Sequence, residues 1–232
     1  MPVQKRGEKV NKVVVKADPH DFEFEPKAAA LIIIDMQNDF VVTGMGDLKG
    51  HDVSMLQKAV GPIRKALSAA RAAEIKIIYT RQGYRPDLSD YPFRGRGRAK
   101  KGGIGAEGPM GRILIKGHRG HEIIDELRPL EDEAVIDKRG HGAFYATDLE
   151  LVLRSAGIRY LIVTGVTTDV CVNSTVREAS DRGYECLVLE DCVASYNPEL
   201  HRAGLEMIKG QGGMFGTAST SGDFIKAIRG PR

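Results

Sequence analysis

The stretch IRYLIVTGVTTDVCVNSTVREASDRG, which runs from Ile158 to Gly183, decides the fold. It opens with an apolar, β-branched run of the kind required by a parallel-sheet strand that is covered on both faces. Gly165 interrupts this run, a threonine-rich turn follows, and apolar residues then recur at helical spacing until Gly183 ends the pattern. The stretch therefore predicts a strand, a tight turn and a helix, with Cys171 at the helix N-terminus.

Cys171 is a candidate nucleophile because of this position. Unpaired N–H groups and the positive end of the helix dipole stabilise a thiolate, so we expect the pKa of Cys171 to lie below its ordinary value of about 8.5. The same N–H groups can hold an oxyanion. The alternative interpretation is a small buried hydrophobic residue behind a strand. A nucleophilic role requires a base and a cation from elsewhere in the chain.

The composition is that of a soluble globular protein. The 232 residues suit one large domain, and 42% of them are hydrophobic and 28% charged. The net charge of +3 is too small to imply a nucleic-acid partner. Three cysteines without paired spacing argue against a disulfide framework and favour a reducing compartment. The charged N-terminus lacks a signal-peptide pattern and no apolar run is long enough to span a membrane, so we expect a cytoplasmic protein.

Strands and helices are predicted to alternate along the chain. Residues 1–27 carry three prolines and are interpreted as an N-terminal arm on the domain or on a neighbouring subunit, and residues 28–232 as one domain. Apolar runs predict strands at 30–35, 75–80, 133–137, 160–163 and 185–189, and a short last strand. Helices are predicted at 53–73, 121–127, 147–153, 198–209 and 220–228. This alternation indicates a three-layer α/β domain.

The connection over residues 81–120 is unusually long and rich in glycine, proline and arginine. Such a connection inside a compact domain is usually functional, so we interpret it as a lid or a subunit-contact loop. Its Arg-Gly run at residues 94–98 is of a type that can bind RNA, but no aromatic repeat is interleaved with it. A nucleic-acid partner is therefore not expected.

Two further strands end in charged residues. Asp35 closes the strand at 30–35, and Lys138 follows the strand at 133–137. Ligands of open α/β sheets bind at the carboxyl ends of the strands, so Asp35, Lys138 and Cys171 are expected to meet there. A thiol needs a proton acceptor and its thiolate a compensating charge, which makes this set a plausible nucleophilic site. The alternative is a structural ion pair between Asp35 and Lys138 beside an inert cysteine.

These stretches resemble the isochorismatase-like cysteine hydrolases. The resemblance rests on LIIIDMQNDF at 31–40, the Asp137-Lys138 strand end and GVTTDVCV at 165–172. Within that superfamily the chain is most similar to amidohydrolases of ureido compounds, biuret hydrolase in particular, through TDLELV at 147–152, REASDRGYEC at 177–186 and QGGMFG at 211–216. The resemblance implies an α/β/α sandwich with a six-stranded parallel sheet of order 3-2-1-4-5-6, and a homodimer or homotetramer.

The resemblance also implies a role for each residue of the set. Asp35 would accept the thiol proton and later activate water, and Lys138 would stabilise the thiolate and the developing anion. Cys171 would attack the carbonyl carbon, form a carbamoyl-enzyme and release ammonia or an amine. A cis peptide bond between Val166 and Thr167 would aim the Thr167 N–H, together with that of Cys171, at the oxyanion.

Substrate contacts are implied less directly. Gln211 would contact the substrate by resemblance to biuret hydrolase, since its amide matches the N–H and C=O edges of a urea-like group. Phe40, Phe144 and Tyr145 could wall a small pocket, and His141 lies in a loop that varies among these relatives. A turn-stabilising glutamine and ordinary core aromatics are the alternatives.

The function expected first is hydrolysis of biuret or triuret by a cysteine amidohydrolase acting on a small molecule. The alternative substrate is a ureido acid, such as ureidoacrylate or an N-carbamoyl amino acid. That substrate needs a cationic clamp for its carboxylate, which Arg81, Arg85 or the run at 94–101 could provide. A further alternative is a catalytically silent binding protein of the same family.

No cofactor and no metal are expected. Metal-dependent nicotinamidases carry an Asp-x-His set after the second strand, where this chain has TRQGY at residues 80–84. His51 alone cannot replace such a ligand set. Isochorismatases proper lack the thiol nucleophile, whereas Cys171 is present here.

Overall fold

The computed structural model describes residues 12–44, 52–92 and 103–230. The sequence predictions made for residues 1–11, for His51 and for the basic run at 94–101 lie outside the described residues.

The described strands form one large sheet and two small ones. They are β1 (Val13–Val15), β2 (Phe22–Phe24), β3 (Ala29–Ile34), β4 (Lys76–Gln82), β5 (Glu107–Gly108), β6 (Gly111–Arg112), β7 (Ala134–Lys138), β8 (Tyr160–Val166), β9 (Glu185–Ala194) and β10 (Thr217–Ser219). The six-stranded sheet has the order β10-β9-β8-β3-β4-β7, and each neighbouring pair in it is parallel. Counted along the chain, this is the expected order 3-2-1-4-5-6, so the predicted fold class is confirmed.

Helices cover both faces of this sheet. They are α1 (Asn38–Val41), α2 (Ser54–Ala72), α3 (Leu149–Ser155), α4 (Asn173–Asp181), α5 (Pro198–Gly213) and α6 (Ser221–Arg229). Leu31 and Ile33 of β3 join the core under α2 and α6, whereas Ile32 and Ile34 join the core under α3, α4 and α5. All six residues of β3 are buried, as expected of a strand with an apolar layer on each side.

Two elements differ from the sequence prediction for identifiable reasons. The helix predicted over 121–127 is replaced by two 3₁₀ turns, Arg119–His121 and Asp125–Leu127, because Ile123 between them pairs with Gln37 in an isolated antiparallel bridge. Strand β9 continues five residues beyond the predicted end. After an irregularity in the ladder its last residues resume pairing with β8, so the charged pair Glu190-Asp191 lies within the strand instead of ending it.

The described part of the N-terminal arm packs on its own domain. Strands β1 and β2 form an antiparallel pair, and Phe24 is buried with its ring stacked on that of Phe224 of α6. Asp18 exchanges two backbone hydrogen bonds with Ala218 of β10, at 2.9 and 2.8 Å. The arm therefore extends the central sheet by a short antiparallel bridge at the β10 edge.

The described parts of the long connection follow the carboxyl edge of the sheet. Tyr84 and Leu114 share a backbone hydrogen bond, and the Leu114 N–H donates to Asp39 Oδ2 at 2.7 Å. Ile113, Leu114 and Ile115 are buried. Residues 113–115 thus belong to the body of the domain, and a lid or subunit-contact role for 81–120 stays a prediction. In the ranges described, no helix combines the length and the apolar character that crossing a bilayer requires.

Candidate active site

Three strands of the central sheet, β8, β3 and β7, deliver the predicted catalytic residues to one point at its carboxyl edge. Asp35 directly follows β3, Lys138 is the last residue of β7, and Cys171 lies in the π-helical turn Thr168–Val172 that follows β8. Lys138 Nζ lies 2.7 Å from Asp35 Oδ2 and 3.4 Å from Cys171 Sγ. Asp35 and Lys138 are fully buried and Cys171 is 4% exposed. The structure therefore brings together an acid, a cation and a thiol in a site shielded from water.

The ammonium of Lys138 is held by backbone as well as by charge. Its Nζ donates to the carbonyl oxygens of Gly140 and His141, both at 3.0 Å. Burial opposes a charge here, but the carboxylate of Asp35 and the sulfur of Cys171 outweigh it and raise the pKa of Lys138. Lys138 is therefore a fixed cation beside the sulfur.

Asp35 keeps one carboxylate oxygen available as a proton acceptor. Its backbone has a left-handed φ of 51°, a conformation that aspartate tolerates better than most residues. Thr80 fixes it from β4, since the Thr80 hydroxyl donates to Oδ1 at 2.7 Å and the Thr80 carbonyl accepts the Asp35 N–H at 3.1 Å. Oδ2 faces Lys138 Nζ without accepting a well-directed hydrogen bond. Apart from the Lys138 ammonium, no described group contacts Oδ2 by a hydrogen bond, so one of its lone pairs remains for a proton from the thiol.

The pKa of the Cys171 thiol differs from the value expected from its position at a helix N-terminus. Burial raises the pKa of Cys171 to about 12, and the opposing effect of the Lys138 cation is smaller. The reason is that the site is closed and removes the hydration that a thiolate needs. This enclosure cannot be read from the sequence around Cys171. The resting protein therefore holds a neutral thiol, and its proton has to leave while the sulfur attacks.

The turn before Cys171 carries the features expected of an oxyanion hole. The peptide bond between Val166 and Thr167 is cis. The Thr167 carbonyl accepts hydrogen bonds from the N–H groups of Val170 and Val172, each at 3.1 Å, whereas the Thr167 N–H donates to no other described residue. This N–H is a donor without a partner next to the nucleophile. Participation of Thr167 and Cys171 N–H groups in an oxyanion hole stays a prediction.

Gln82 is a site residue that sequence reasoning missed. Its Oε1 lies 3.7 Å from Cys171 Sγ, and its Nε2 donates to the Tyr84 hydroxyl at 3.0 Å. In the sequence, the segment TRQGY at residues 80–84, which contains Gln82, is notable only because it lacks metal ligands. A signal was present, because Gln82 ends a buried strand two residues after Thr80 and therefore shares its face. Its register opposite Lys138 needed the structure.

Among the predicted substrate contacts, His141 touches the triad directly. His141 supplies its carbonyl oxygen to Lys138, as described above. Phe40 is 7% exposed in α1, and its carbonyl accepts from the Tyr196 hydroxyl at 3.0 Å. Tyr145 is 57% exposed and its ring lies over Gly140. Tyr145 therefore borders the loop that holds the Lys138 ammonium, and a pocket-wall role for Phe40 and Tyr145 stays a prediction.

Phe144 lies deeper, along α4. Its N–H donates to Glu178 Oε2 at 3.1 Å, its ring centroid is 5.8 Å from that of Tyr184, and the Arg182 guanidinium carbon is 4.8 Å above the ring. Glu178 lies seven residues, or about two helical turns, beyond Cys171. These contacts are those of a core aromatic, so a pocket-wall role for Phe144 stays a prediction without support from its placement.

Gln211 is exposed at a kink near the end of α5, with a left-handed φ of 54°. The nearby Met214 carbonyl accepts from the Ser180 hydroxyl at 3.4 Å, and Ser180 stands at the end of α4 that is remote from Cys171. Within one chain, Gln211 is therefore not brought to the sulfur. Its contact with substrate stays a prediction.

Within residues 12–44, 52–92 and 103–230, no three His, Cys, Asp or Glu side chains gather in a way that could hold a metal ion.

The fold and site together define a class of protein, a three-layer α/β domain with a buried cysteine, lysine and aspartate at the carboxyl edge of its sheet. The chain belongs to the isochorismatase domain family, which matches residues 29–221. This confirms the family resemblance inferred from the sequence.

Several relatives span most of the chain. The ureidoacrylate amidohydrolase RutB of Acinetobacter baylyi is 35% identical over 223 residues, which cover 93% of this chain and 90% of that protein. The RutB of an Enterobacter species is 36% identical over 222 residues, which cover 93% and 95%. Among solved structures, a cysteine hydrolase from Pseudomonas syringae pv. phaseolicola has a TM-score of 0.74 at 31% identity, with 89% of this chain and 94% of that one covered. An N-carbamoylsarcosine amidase from Thermoplasma acidophilum has a TM-score of 0.63 at 28% identity, with 83% and 96% covered.

Proposed function

We propose that the protein hydrolyses a C–N bond of a ureido acid, a small molecule that carries both a carbamoyl-amino group and a carboxylate. The observation that carries the chemistry is the buried contact of Lys138 Nζ with Cys171 Sγ and Asp35 Oδ2, at 3.4 and 2.7 Å. The substrate class is supported by relatives named for ureidoacrylate and N-carbamoylsarcosine, both of which are acids with a carbamoyl group. The ureido-acid alternative is thereby favoured over biuret.

Acylation begins when Cys171 attacks the carbamoyl carbon as its proton passes to Asp35 Oδ2. The Lys138 ammonium stabilises the negative charge that develops on sulfur, and the Thr167 and Cys171 N–H groups would receive the oxyanion. One such donor typically contributes about 3 kcal/mol to the transition state. The tetrahedral intermediate then collapses, the C–N bond breaks, and the leaving amine takes the proton from Asp35.

Deacylation uses the same groups. A water molecule attacks the carbamoyl-enzyme while Asp35 accepts its proton, and the C–S bond breaks as the sulfur recovers that proton. Carbamic acid leaves and decomposes to carbon dioxide and ammonia. Asp35 therefore serves as base in the first half of each step and as acid in the second.

The carboxylate of a ureido acid needs a cation near the mouth of the site. Arg81 does not fit this role, because its guanidinium already contacts Asp137 at 2.9 Å and Glu122 at 2.8 Å. It also alternates with Gln82 along β4 and so faces away from the sulfur. Of the cations named from the sequence, Arg85 remains as the described candidate, since it is exposed three residues beyond the end of β4.

The test is a substrate panel of ureidoacrylate, 3-ureidopropionate, N-carbamoylsarcosine, biuret and triuret, with the neutral 3-ureidopropionamide as the matched control. We expect turnover of one or more ureido acids, with kcat/KM at least tenfold above that of the neutral amide, and loss of turnover in Cys171→Ser. Equal rates for the acid and its amide would refute the carboxylate requirement. No turnover of any compound would refute the ureido assignment.

A further inference from the structure

Gln82 and Tyr84 form a linked pair next to the nucleophile. Gln82 Nε2 is 3.0 Å from the Tyr84 hydroxyl, which in turn lies 3.0 Å from the Arg139 carbonyl oxygen. Gln82 is 5% exposed and Tyr84 fully buried. Neither residue has a role in the acylation and deacylation steps described above.

The two hydrogen bonds of Tyr84 decide which end of the Gln82 amide faces the sulfur. A phenol has one proton, and burial raises the pKa of Tyr84 to about 12, so the proton is retained. The Arg139 carbonyl can only accept, so the hydroxyl donates its proton there. It can then only accept from Gln82, which must offer its amide NH₂ group and leave its carbonyl oxygen toward Cys171.

The backbone of Gln82 is fixed separately. The carboxamide of Gln37 accepts the Gln82 N–H at 2.8 Å and donates to the Gln82 carbonyl at 3.0 Å. The same Gln37 NH₂ group donates to the His121 carbonyl at 2.8 Å. With the main chain held, the remaining freedom of Gln82 is in its side chain, and Tyr84 removes it.

We propose that Tyr84 is a positioning residue that locks the Gln82 carbonyl oxygen toward the sulfur, and that this oxygen selects substrates whose acyl group keeps an NH₂ group on Cys171. The proposal rests on the proposed function only for the class of reaction, and it identifies the acyl half of the substrate as an unsubstituted carbamoyl group. It also assigns the leaving group, which is the amine that bears the rest of the molecule.

The physical basis is a buried acceptor that needs a donor. In a carbamoyl-enzyme the NH₂ group is one bond from the carbon attached to sulfur, within reach of an oxygen 3.7 Å from that sulfur. A methyl group in the same place, as in a simple acyl group, leaves this oxygen without a partner. Sites built to hydrogen-bond a substrate N–H discriminate strongly against analogues that lack it.

The test compares two small reagents for Cys171. Cyanate, as isocyanic acid, adds the thiol S–H across its C=N bond and leaves an S-carbamoyl group on the protein, whereas methyl methanethiosulfonate transfers a methylthio group to sulfur and releases methanesulfinic acid. The first product carries the NH₂ group and the second does not. Rates are measured by peptide mass spectrometry, with Cys186 and Cys192 as internal references.

We expect Tyr84→Phe to lower the ratio of the carbamoylation rate to the thiolation rate by about tenfold. Gln82→Leu should lower it at least as much, and the double variant should equal Gln82→Leu because Tyr84 acts through Gln82. Tyr79→Phe is the matched control. It removes another buried phenol hydroxyl, that of a β4 residue bonded to Arg71, and should leave the ratio unchanged.

An unchanged ratio in Tyr84→Phe and Gln82→Leu would overturn the proposal, as would additive effects in the double variant. Methanethiosulfonate reaction and thermal melting of each variant show that the fold and the thiol are intact. These outcomes are independent of the substrate panel, because neither reagent carries a carboxylate or an amine leaving group. If no ureido acid is turned over but Tyr84→Phe and Gln82→Leu still lower the ratio of carbamoylation to thiolation, the ureido-acid assignment fails and this inference stands.

Discussion

Gly165 lies so close to Ile34 that a Cβ atom on it would stand 2.1 Å from the Ile34 carbonyl oxygen. Its φ of +107° is likewise suited to glycine. This contact closes β8 against β3 at the residues that precede Asp35 and the turn of Cys171. The spacing of β3 and β8, and with it the separation of Asp35 from Cys171, thus depends on the absence of a side chain at Gly165.

Gly165→Ala is expected to destabilise the fold by about 3 kcal/mol or more, because the added carbon clashes with backbone and not with a flexible side chain. Urea denaturation gives the free energy of unfolding. The matched control is Gly157→Ala, where φ is +67° but no described atom lies within 4 Å of the added carbon, so it should cost about 1 kcal/mol. Equal losses in the two variants would contradict the close-approach argument.

Lys138→Met should cost about 3 to 5 kcal/mol of stability, since it leaves the buried Asp35 carboxylate without its cation. Asp35→Asn in the same background removes that carboxylate and should recover much of the stability. Activity should stay absent in both, since neither variant retains the ammonium beside the sulfur. If Lys138→Met alone were as stable as the wild type, the Lys138 ammonium would not be what compensates the buried charge of Asp35.

The Cys171 thiol should ionise only at high pH, since its pKa is raised to about 12 by burial. A raised pKa means that the folded protein binds this proton more tightly, so the neutral thiol persists through neutral pH. Iodoacetamide labelling of Cys171, followed by peptide mapping, should accelerate with pH to beyond about pH 10, given that raised value. A plateau near neutral pH would indicate a resting thiolate and would contradict the concerted proton transfer to Asp35.

His121 should make the protein sensitive to acid. It is 1% exposed, and neither ring nitrogen has a hydrogen-bond partner among the described residues. Burial, followed by the Arg81 cation, lowers its pKa to about 4. A depressed pKa stabilises the fold above the ordinary value of about 6.5, and that contribution disappears as pH falls through about 4. The loss is of the order of 3 kcal/mol. Between neutral pH and about pH 4, denaturation curves of His121→Gln should therefore change less than those of the wild type.

Chelator treatment is expected to leave turnover unchanged. The end of β4 and the residues after it read TRQGY at 80–84, which contains neither the Asp nor the His that a metal site at this place requires. Activity is compared before and after dialysis against EDTA, with added zinc as the reverse test. Loss of activity that zinc restores would refute the metal-free mechanism.

The strands and the triad were predictable because their signals are local and their geometry follows from topology. Asp35, Lys138 and Cys171 each follow an apolar run, and parallel strands deliver such residues to one edge. The ionisation of Cys171 was not predictable, because it depends on how completely distant loops exclude water. Sequence spacing describes the helix N-terminus near the thiol and says nothing of that enclosure.

The substrate residues were inferred from resemblance and not from topology, so their roles stay predictions. Phe144 contacts α4 and its surroundings, and Gln211 lies at the kink near the end of α5. Gln82 was overlooked although it lies 3.7 Å from that sulfur. Its importance emerges from register, because only pairing of β4 with β7 places it opposite Lys138.

The bridge between Asp18 and Ala218 has a consequence for colloidal behaviour. An exposed edge strand offers unpaired N–H and C=O groups to any other chain, and this invites polymerisation through strand addition. Here the arm already occupies those groups on β10, and it keeps its own Phe22 and Phe24 out of water. A chain that lacks the residues before Glu25 would expose the edge of β10 to solvent, together with the apolar surface that Phe22 and Phe24 cover. The N-terminal segment thus protects the solubility of an enzyme whose chemistry takes place elsewhere.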